Sequence, residues 1–216
     1  ELFPYFYYTY FSKPCRKDFS HRVIDDIMPY YNMLPIVKAP NEVLSSLAKP
    51  VGRIDKDILL LIKQMKETLA VTRDPEGVGL AAPQVGKSLQ IFLAKPTPKS
   101  PFLVFINPKI ISESEAMQEL KRPKRANAPG KLEGCLSLVN IWGAVRRHAK
   151  ITLTYLDEHG KTHTKTFTGF MSTIIQHEID HLHGILFPRR VFEQQGKLYK
   201  SHKDKKGEDV FEKIEL

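Results

Sequence analysis

The chain has 216 residues, of which 42% are hydrophobic and 26% are charged, a composition typical of a globular domain with a core of its own. No apolar run approaches the roughly 18 residues that a membrane-spanning helix needs, so we expect no membrane partner. The net charge of +9 indicates a lysine-rich, solvated surface or affinity for a polyanion such as RNA.

The start of the chain differs from the rest, because it is rich in aromatic residues, broken by prolines and without clear periodicity. We interpret residues 1–35 as an N-terminal extension and the remnant of a leader, since the first residue is Glu1 and not Met. Residues 36–192 are predicted to form the folded domain. Residues 193–216 are predicted to form a polar, basic C-terminal tail, in which 194–207 are too polar and charged to pack and 210–216 could form one short amphipathic turn.

A strong helix is predicted to begin at Asp55, because apolar residues then recur three or four positions apart. These residues are Ile58, Leu59, Ile62, Met65 and Leu69. The helix should end near Arg73, because Asp74 precedes Pro75 and a residue before proline disfavours the helical conformation.

A tight glycine-rich segment, 77–86, separates this helix from two predicted strands, 89–94 and 102–106. The dipeptide Asn107-Pro108 should turn the chain, and residues 109–115 could form another strand.

The stretch 116–131 is polar, basic and proline-bearing, so we expect it to be an exposed loop. Much of the positive charge lies in 121–131 and in 197–206. Neither stretch has the interleaved aromatic residues of a base-stacking surface. We therefore expect no sequence-specific binding of nucleic acid.

A hairpin is predicted next, with strands at 151–155 and 162–167 and a turn at 158–161. Residues 171–182 form a second strong helix in this interpretation. Its apolar face is supplied by Ile174, Ile175, Ile179 and Leu182. The order of elements predicts an α+β fold, with mostly antiparallel strands packed around this central helix and with a long N-terminal helix.

The second helix carries residues 177–181 (HEIDH), in which two histidines lie four positions apart. They fall on one helix face and can point at a single cation, while Glu178 can reach a water there. Burying these groups in so apolar a helix would cost several kcal/mol unless a metal offset it. We therefore predict a catalytic divalent-metal site. Asp180 should orient a ligand or a neighbouring arginine, with an ordinary surface acid as the alternative.

A catalytic metal needs a third protein ligand and an open coordination position. Metallopeptidases with the same helix often take a third histidine six residues on, and this sequence follows their pattern to Gly184 but has Phe187 at the ligand position. Cys135 is the other candidate, because Gly134 removes bulk beside it and a thiolate suits a soft or borderline cation. A Cys15–Cys135 disulfide is the alternative.

Three segments together resemble the motifs of the peptide deformylase family. Residues 77–84 (GVGLAAPQ) are similar to its G-x-G-x-A-A-x-Q motif, 133–137 (EGCLS) to E-G-C-L-S, and 176–181 (QHEIDH) to Q-H-E-x-D-H. The resemblance covers residues 36–192 and implies that they are a deformylase catalytic domain. Such an enzyme hydrolyses the N-formyl group from the first methionine of a newly made protein and releases formate.

The resemblance implies that Cys135, His177 and His181 bind one divalent metal ion. The ion would be Fe²⁺ in the physiological enzyme, and Zn²⁺, Co²⁺ or Ni²⁺ could also occupy the site. Glu178 would act as general base and then as general acid.

Gln84 and the backbone N–H of Leu136 would hold the oxygen of the formyl group, and Gly79 would pair with the substrate backbone. The methionine side chain needs an apolar pocket. We predict that residues on the metal-binding face of the second helix and in the glycine-rich motif line it, with plain core packing as the alternative. These residues are Val78, Phe170, Thr173 and Ile174.

The expected partners are nascent N-formyl-Met polypeptides, with transient ribosome contact, and we expect a monomer. The extension at 1–35 indicates an organellar enzyme, from a plastid-like organelle such as an apicoplast or from a mitochondrion; the bacterial cytoplasm is the alternative. Two other functions stay open. A metallopeptidase with a different third ligand predicts that Cys135→Ala leaves metal bound. A non-enzymatic, basic, RNA-associated protein predicts RNA binding that survives Glu178→Ala.

Overall fold

The computed structural model describes residues 33–72, 77–120 and 132–215. Its helices in these residues are α1 (Lys56–Val71), α2 (Gly169–Leu182) and α3 (Phe187–Glu193), with 3₁₀ helices at Glu42–Leu44 and Ala82–Val85. No helix in this part of the chain is both long and apolar enough to cross a membrane.

The strands of the described residues form three sheets. In chain order they are β1 (Gly79–Ala81), β2 (Ile91–Ala94), β3 (Leu103–Glu113), β4 (Met117–Glu119), β5 (Glu133–Cys135), β6 (Leu138–Gly143), β7 (Arg146–His148), β8 (Lys150–Leu156), β9 (Thr162–Thr168), β10 (Leu198–Lys203) and β11 (Asp209–Lys213). The sheet orders are β1-β2-β3-β8-β9, β11-β10-β6-β5 and β4-β7, and the neighbouring strands are antiparallel. This confirms the predicted α+β fold with mostly antiparallel strands.

Helix α2 packs its apolar face against the five-stranded sheet. Ile174, Ile175 and Ile179 join a buried cluster with Phe92 and Phe105 of the central strands. Fully burying a side chain of this size contributes roughly 1.5–3 kcal/mol. The helix that carries residues 177–181 is therefore held on a rigid layer, which suits a site whose geometry must be kept.

Helix α1 is capped by Asp55, whose carboxylate accepts hydrogen bonds from the backbone N–H groups of Asp57 and Ile58. The expected apolar face is wrong in one position: Leu59 is 44% exposed, whereas Leu61 is 7% exposed and joins the core. Five consecutive apolar residues, 58–62, stand here, so only packing against the sheet decides which of them turn inward. Residue 73, the predicted helix end, lies outside the described residues.

The predicted turn at Asn107-Pro108 is wrong, because β3 continues through it as one strand of 11 residues. The register with β8 shifts between Ile106 and Lys109, where Asn107 takes a positive φ of 49°. The Asn107 side chain accepts a hydrogen bond from Val51 N–H and donates one to Val51 O, each at 2.8 Å. The irregularity is thus a bulge held by the preceding segment.

Part of the predicted exposed loop is also ordered structure. Strand β4 pairs with β7, with Gln118 opposite Arg147, and Leu120 is fully buried. The remainder of that prediction, 121–131, lies outside the described residues.

The expectation of an unpacked C-terminal tail is wrong. Strands β10 and β11 form a hairpin, and β10 also pairs with β6, so that the hairpin extends the sheet that contains β5. Leu198 and Ser201 are buried. Backbone hydrogen bonds and a few inward side chains hold this hairpin, and such a strand has too little apolar alternation to be seen in the sequence.

Replacing Gly184 by alanine is expected to destabilise the fold by about 2–4 kcal/mol. Gly184 has a φ of +68°, and an added Cβ would lie 2.5 Å from the backbone carbonyl carbon of Ser45, which cannot move aside cheaply. Gly160→Ala is the matched control, because Gly160 has a φ of +77° but only an ordinary contact at 3.9 Å. Urea unfolding of both variants measures the difference, and equal losses would contradict the role of the close approach.

Candidate active site

The structure brings the three predicted metal ligands together. His177 and His181 lie one turn apart on α2 with ring centroids 5.1 Å apart. Cys135, at the end of β5, places its Sγ 3.1 Å from Nε2 of His181. One donor atom from each of these three residues lies within 4.8 Å of the others.

These donors fit a divalent cation. One sulfur and two imidazole nitrogens suit a soft or borderline metal, and three protein ligands leave a position open for substrate or water. The Nδ1 of His177 is 3.0 Å from the Glu133 carboxylate, so this nitrogen donates a hydrogen bond and Nε2 remains for the metal. The buried Oε2 of Glu178 has no hydrogen-bond partner within the described residues, as expected of a group that faces a bound molecule.

The charge state of Cys135 supports the same assignment. Burial alone would raise the pKa of this thiol, but the imidazoles of His181 and His177 hold it well below its usual range. The thiolate is the form that binds metals. The thiol is free, so the alternative of a disulfide at Cys135 is wrong; Cys15 lies outside the described residues.

A chain of buried ion pairs supports the site from behind. Arg147 donates two hydrogen bonds of 2.9 Å to Glu133 and a third of 2.6 Å to Asp180, which also accepts one of 2.7 Å from Arg190. Burial opposes ionisation of Glu133, but Arg147 and His177 lower its pKa to about 2. Asp180 therefore orients arginines, as predicted, and Glu133 fixes the ring of His177.

We expect Arg147→Met to lower the free energy of unfolding by about 3–5 kcal/mol, because Glu133 and Asp180 would be left buried without their shared cation. Arg189→Met is the matched control, since the Arg189 side chain is 68% exposed and pairs only with Glu193 in the described residues. That change should cost at most about 0.5 kcal/mol. Chemical unfolding measures both, and similar losses would show that the buried network contributes little.

The carboxylate of Glu178 lies beside β1, where Gly79 makes room for it. A Cβ added at Gly79 would overlap the Glu178 carboxylate. Burial raises the pKa of Glu178 to about 7, although His177 and His181 oppose the rise. Gly79 thus lets strand and carboxylate approach closely.

Gln84 points into the same space from the 3₁₀ helix after β1. Its Oε1 accepts a hydrogen bond of 2.8 Å from Ala81 N–H, which fixes the amide so that Nε2 faces the site. Nε2 is 3.5 Å from Sγ of Cys135 and 3.4 Å from Oγ of Ser137. Leu136 lies beside these groups, and its carbonyl accepts a hydrogen bond of 2.6 Å from Nζ of Lys38.

A pocket with an empty volume of about 520 Å³ opens at this point. Its lining contains the residues that we predicted for the substrate, Val78, Gly79, Phe170, Thr173 and Ile174, and also the site residues Gln84, Cys135, Leu136, His177 and Glu178. Phe187, which fills the third-ligand position of the metallopeptidase pattern, is fully buried and stacks at 6.2 Å on the ring of His177.

The sequence model of the polypeptide deformylase family matches residues 33–197. The chain belongs to the peptide deformylase family. Peptide deformylase 1 of Bacillus cereus is 39% identical over 159 residues, which are 74% of this chain and 92% of that protein. The peptide deformylase of Synechocystis is 36% identical over 154 residues, 70% of this chain and 75% of that protein.

Solved deformylase structures have the same fold. The enzyme of Thermotoga maritima superposes with a TM-score of 0.63 at 31% identity, covering 73% of this chain and 97% of that one. The enzyme of Synechococcus elongatus, crystallised in complex with actinonin, gives 0.62 at 34% identity, with 73% and 78% coverage. This deformylase is therefore a hydrolase that removes the N-formyl group from the first methionine of newly made proteins and releases formate.

Glu133 and Leu120 are residues of this deformylase site for which the sequence predicted no role. Glu133 stands inside the E-G-C-L-S segment, and a carboxylate beside a ligand cysteine could have been considered as a partner for a histidine. Leu120 lines the pocket, and Gly134 contributes to its wall. No sequence pattern marked Leu120 as a pocket residue, because it follows a short polar strand.

Proposed function

We propose that Cys135, His177 and His181 hold one divalent metal ion for deformylation, and that the physiological ion is Fe²⁺. The convergence of these donors beside the pocket that Glu178 also lines is the observation that carries the proposal. A thiolate with two imidazoles suits Fe²⁺, Zn²⁺, Co²⁺ and Ni²⁺.

The roles of the surrounding residues follow from where they lie. When bound, a divalent cation supplies the Lewis acidity that activates water at neutral pH. Glu178 then takes the proton of the attacking water and returns it to the leaving amine. Its exposure of 3% keeps other water away from that proton.

Two hydrogen-bond donors are assigned to the formyl oxygen. Nε2 of Gln84 and the backbone N–H of Leu136 donate hydrogen bonds to the formyl oxygen as it gains negative charge. Removing one such donor typically costs about 3–4 kcal/mol. The hydrogen bond from Ala81 N–H to Oε1 of Gln84 sets the orientation of the Gln84 amide in advance. Little reorganisation of this side chain is therefore needed during the reaction.

The apolar part of the pocket takes the methionine side chain. Phe170, Thr173 and Ile174 come from the first two turns of α2, and Val78 closes the opposite side next to Gly79. The backbone of Gly79 pairs with the substrate. A formyl group at the catalytic end and an apolar side chain in the pocket together select N-formyl-Met polypeptides.

We propose further that the enzyme is an organellar monomer, in a plastid-like organelle such as an apicoplast or in a mitochondrion, which contacts the ribosome transiently. The relatives named above are bacterial and cyanobacterial. The support for an organelle is that the aromatic-rich residues before 33 stand outside the family match. A tagged precursor that stays in the cytosol would contradict an organellar location, and sedimentation measures the oligomeric state.

The deciding experiment is a formate-release assay on protein purified without oxygen. The metal is identified by mass spectrometry, and a formyl-Met peptide is compared with the same peptide bearing an acetyl group. We expect release of formate with Fe²⁺ or Ni²⁺ bound. Failure to release formate from a metal-loaded sample would overturn the proposal.

A further inference from the structure

The C-terminal hairpin of β10 and β11 lies beyond residues 33–197, which the family model matches, yet it is joined to the strand that carries Cys135. Strand β10 pairs with β6, and β6 pairs with β5. The hairpin is therefore two strands away from a residue that we assign as a metal ligand. From this position, the hairpin can influence where the backbone holds Cys135.

Trp142 of β6 is the side chain that transmits this contact. It stands directly opposite Gly134 in the register of β5 and β6. A Cβ added at Gly134 would lie 2.7 Å and 2.8 Å from two carbons of the indole ring. The ring thus packs on the backbone of the residue that precedes Cys135.

The hairpin holds this indole in place. Its Nε1–H donates a hydrogen bond of 2.8 Å to Oγ of Ser201 in β10, and Ser201 is only 7% exposed. The ring of Phe211, from β11, meets the indole edge-on with centroids 5.7 Å apart. A tryptophan bound at its polar edge and packed at a second face cannot swing away from Gly134 without losing both contacts.

The other face of the same sheet supports Cys135 directly. Leu198 of β10 belongs to the buried cluster that contains Cys135, Phe187 and Val191. Phe187 in turn stacks on the ring of His177. The hairpin therefore reaches the strand of the ligand from both faces of the sheet.

We infer that Trp142, clamped by Ser201, is a positioning residue that fixes the strand Glu133–Cys135, so that the C-terminal hairpin controls how long the metal is retained. This inference rests on the proposed role of Cys135 as a ligand. Residues that orient a ligand typically change metal affinity by about 10- to 100-fold when lost. Trp142 acts through a neighbouring backbone, so we expect a smaller effect.

The test uses the full chain loaded with Co²⁺ and follows metal release to excess chelator. Ser201→Ala and Trp142→Phe each remove the indole–hydroxyl hydrogen bond while keeping most of the packing. We expect each to release the metal about fivefold faster, and Ser201→Thr, which keeps the hydroxyl, to stay within about twofold of the unaltered protein. Lys200→Ala is the matched control, because Lys200 lies next to Ser201 on β10 and is exposed.

Two further measurements distinguish a role in positioning Cys135 from a general effect on the stability of the fold. The Trp142→Phe, Ser201→Ala double variant should release metal no faster than either single variant, because both changes remove one interaction. The thiolate-to-cobalt absorption band should change in the single variants and stay unchanged in Lys200→Ala.

The outcomes are distinct. If the unaltered chain binds no metal, the proposed function fails. If it binds metal but Ser201→Ala and Trp142→Phe match Lys200→Ala in release rate and in spectrum, even with a lower melting temperature, the inference is overturned.

Discussion

Glu178→Gln should lower kcat for formate release by about 10²- to 10⁴-fold and leave the metal content unchanged. Glutamine has nearly the same shape, so it fits the space beside Gly79 that glutamate occupies. It cannot accept a proton from the attacking water or return one to the leaving amine. The loss should therefore fall on the chemical step, with a much smaller change in KM.

The measurement is steady-state kinetics on a formyl-Met peptide, with metal content determined on the same samples. Glu42→Gln is the matched control, because it removes an exposed carboxylate, that of Glu42 in the short helix Glu42–Leu44. Full activity of Glu178→Gln would remove the general base from the mechanism. Loss of metal together with activity would instead make Glu178 necessary for metal retention.

Cys135→Ala should weaken metal binding by more than about 100-fold and abolish activity at ordinary metal concentrations, because a three-ligand site would keep only two histidines. The remaining imidazoles of His177 and His181 can still bind a metal weakly. Excess Ni²⁺ or Co²⁺ should restore binding in part without restoring full turnover, since the charge and position of the thiolate are absent.

Metal content after dialysis against a weak chelator measures this effect. Cys15→Ala is the matched control, because it removes the other cysteine of the chain. A Cys135→Ala protein that keeps one metal per chain would refute the ligand assignment and leave a different third ligand to be found.

Local sequence predicted the helix over 171–182 and its candidate metal ligands. The spacing of His177 and His181 decides that they share a face on any α-helix, because 3.6 residues complete each turn. Phe187 excludes a third histidine ligand at its position, which leaves Cys135 as the candidate. In each case the chemistry is contained in a short segment, so no knowledge of the surrounding fold was needed.

The way these segments meet depends on contacts between residues that are distant in the chain. Glu133 bonds to His177 across 44 positions of the chain, and Gly79 makes room for Glu178 although the two lie on different elements. Neither approach leaves a periodic pattern in the sequence, because each depends on a single pair of residues. The same reason explains why Leu61 rather than Leu59 turns inward on α1.

The C-terminal hairpin shows most clearly what sequence patterns alone do not predict. Residues 193–216 are polar and charged, which in isolation predicts a tail without packing. The backbone groups of β6 form hydrogen bonds with β10, and the indole N–H of Trp142 donates a hydrogen bond to Ser201. Backbone pairing depends little on side-chain type, so a polar sequence formed a strand once a partner edge was available. Short motifs thus predict the chemistry of the site, whereas the contacts that hold the site in place arise from long-range packing.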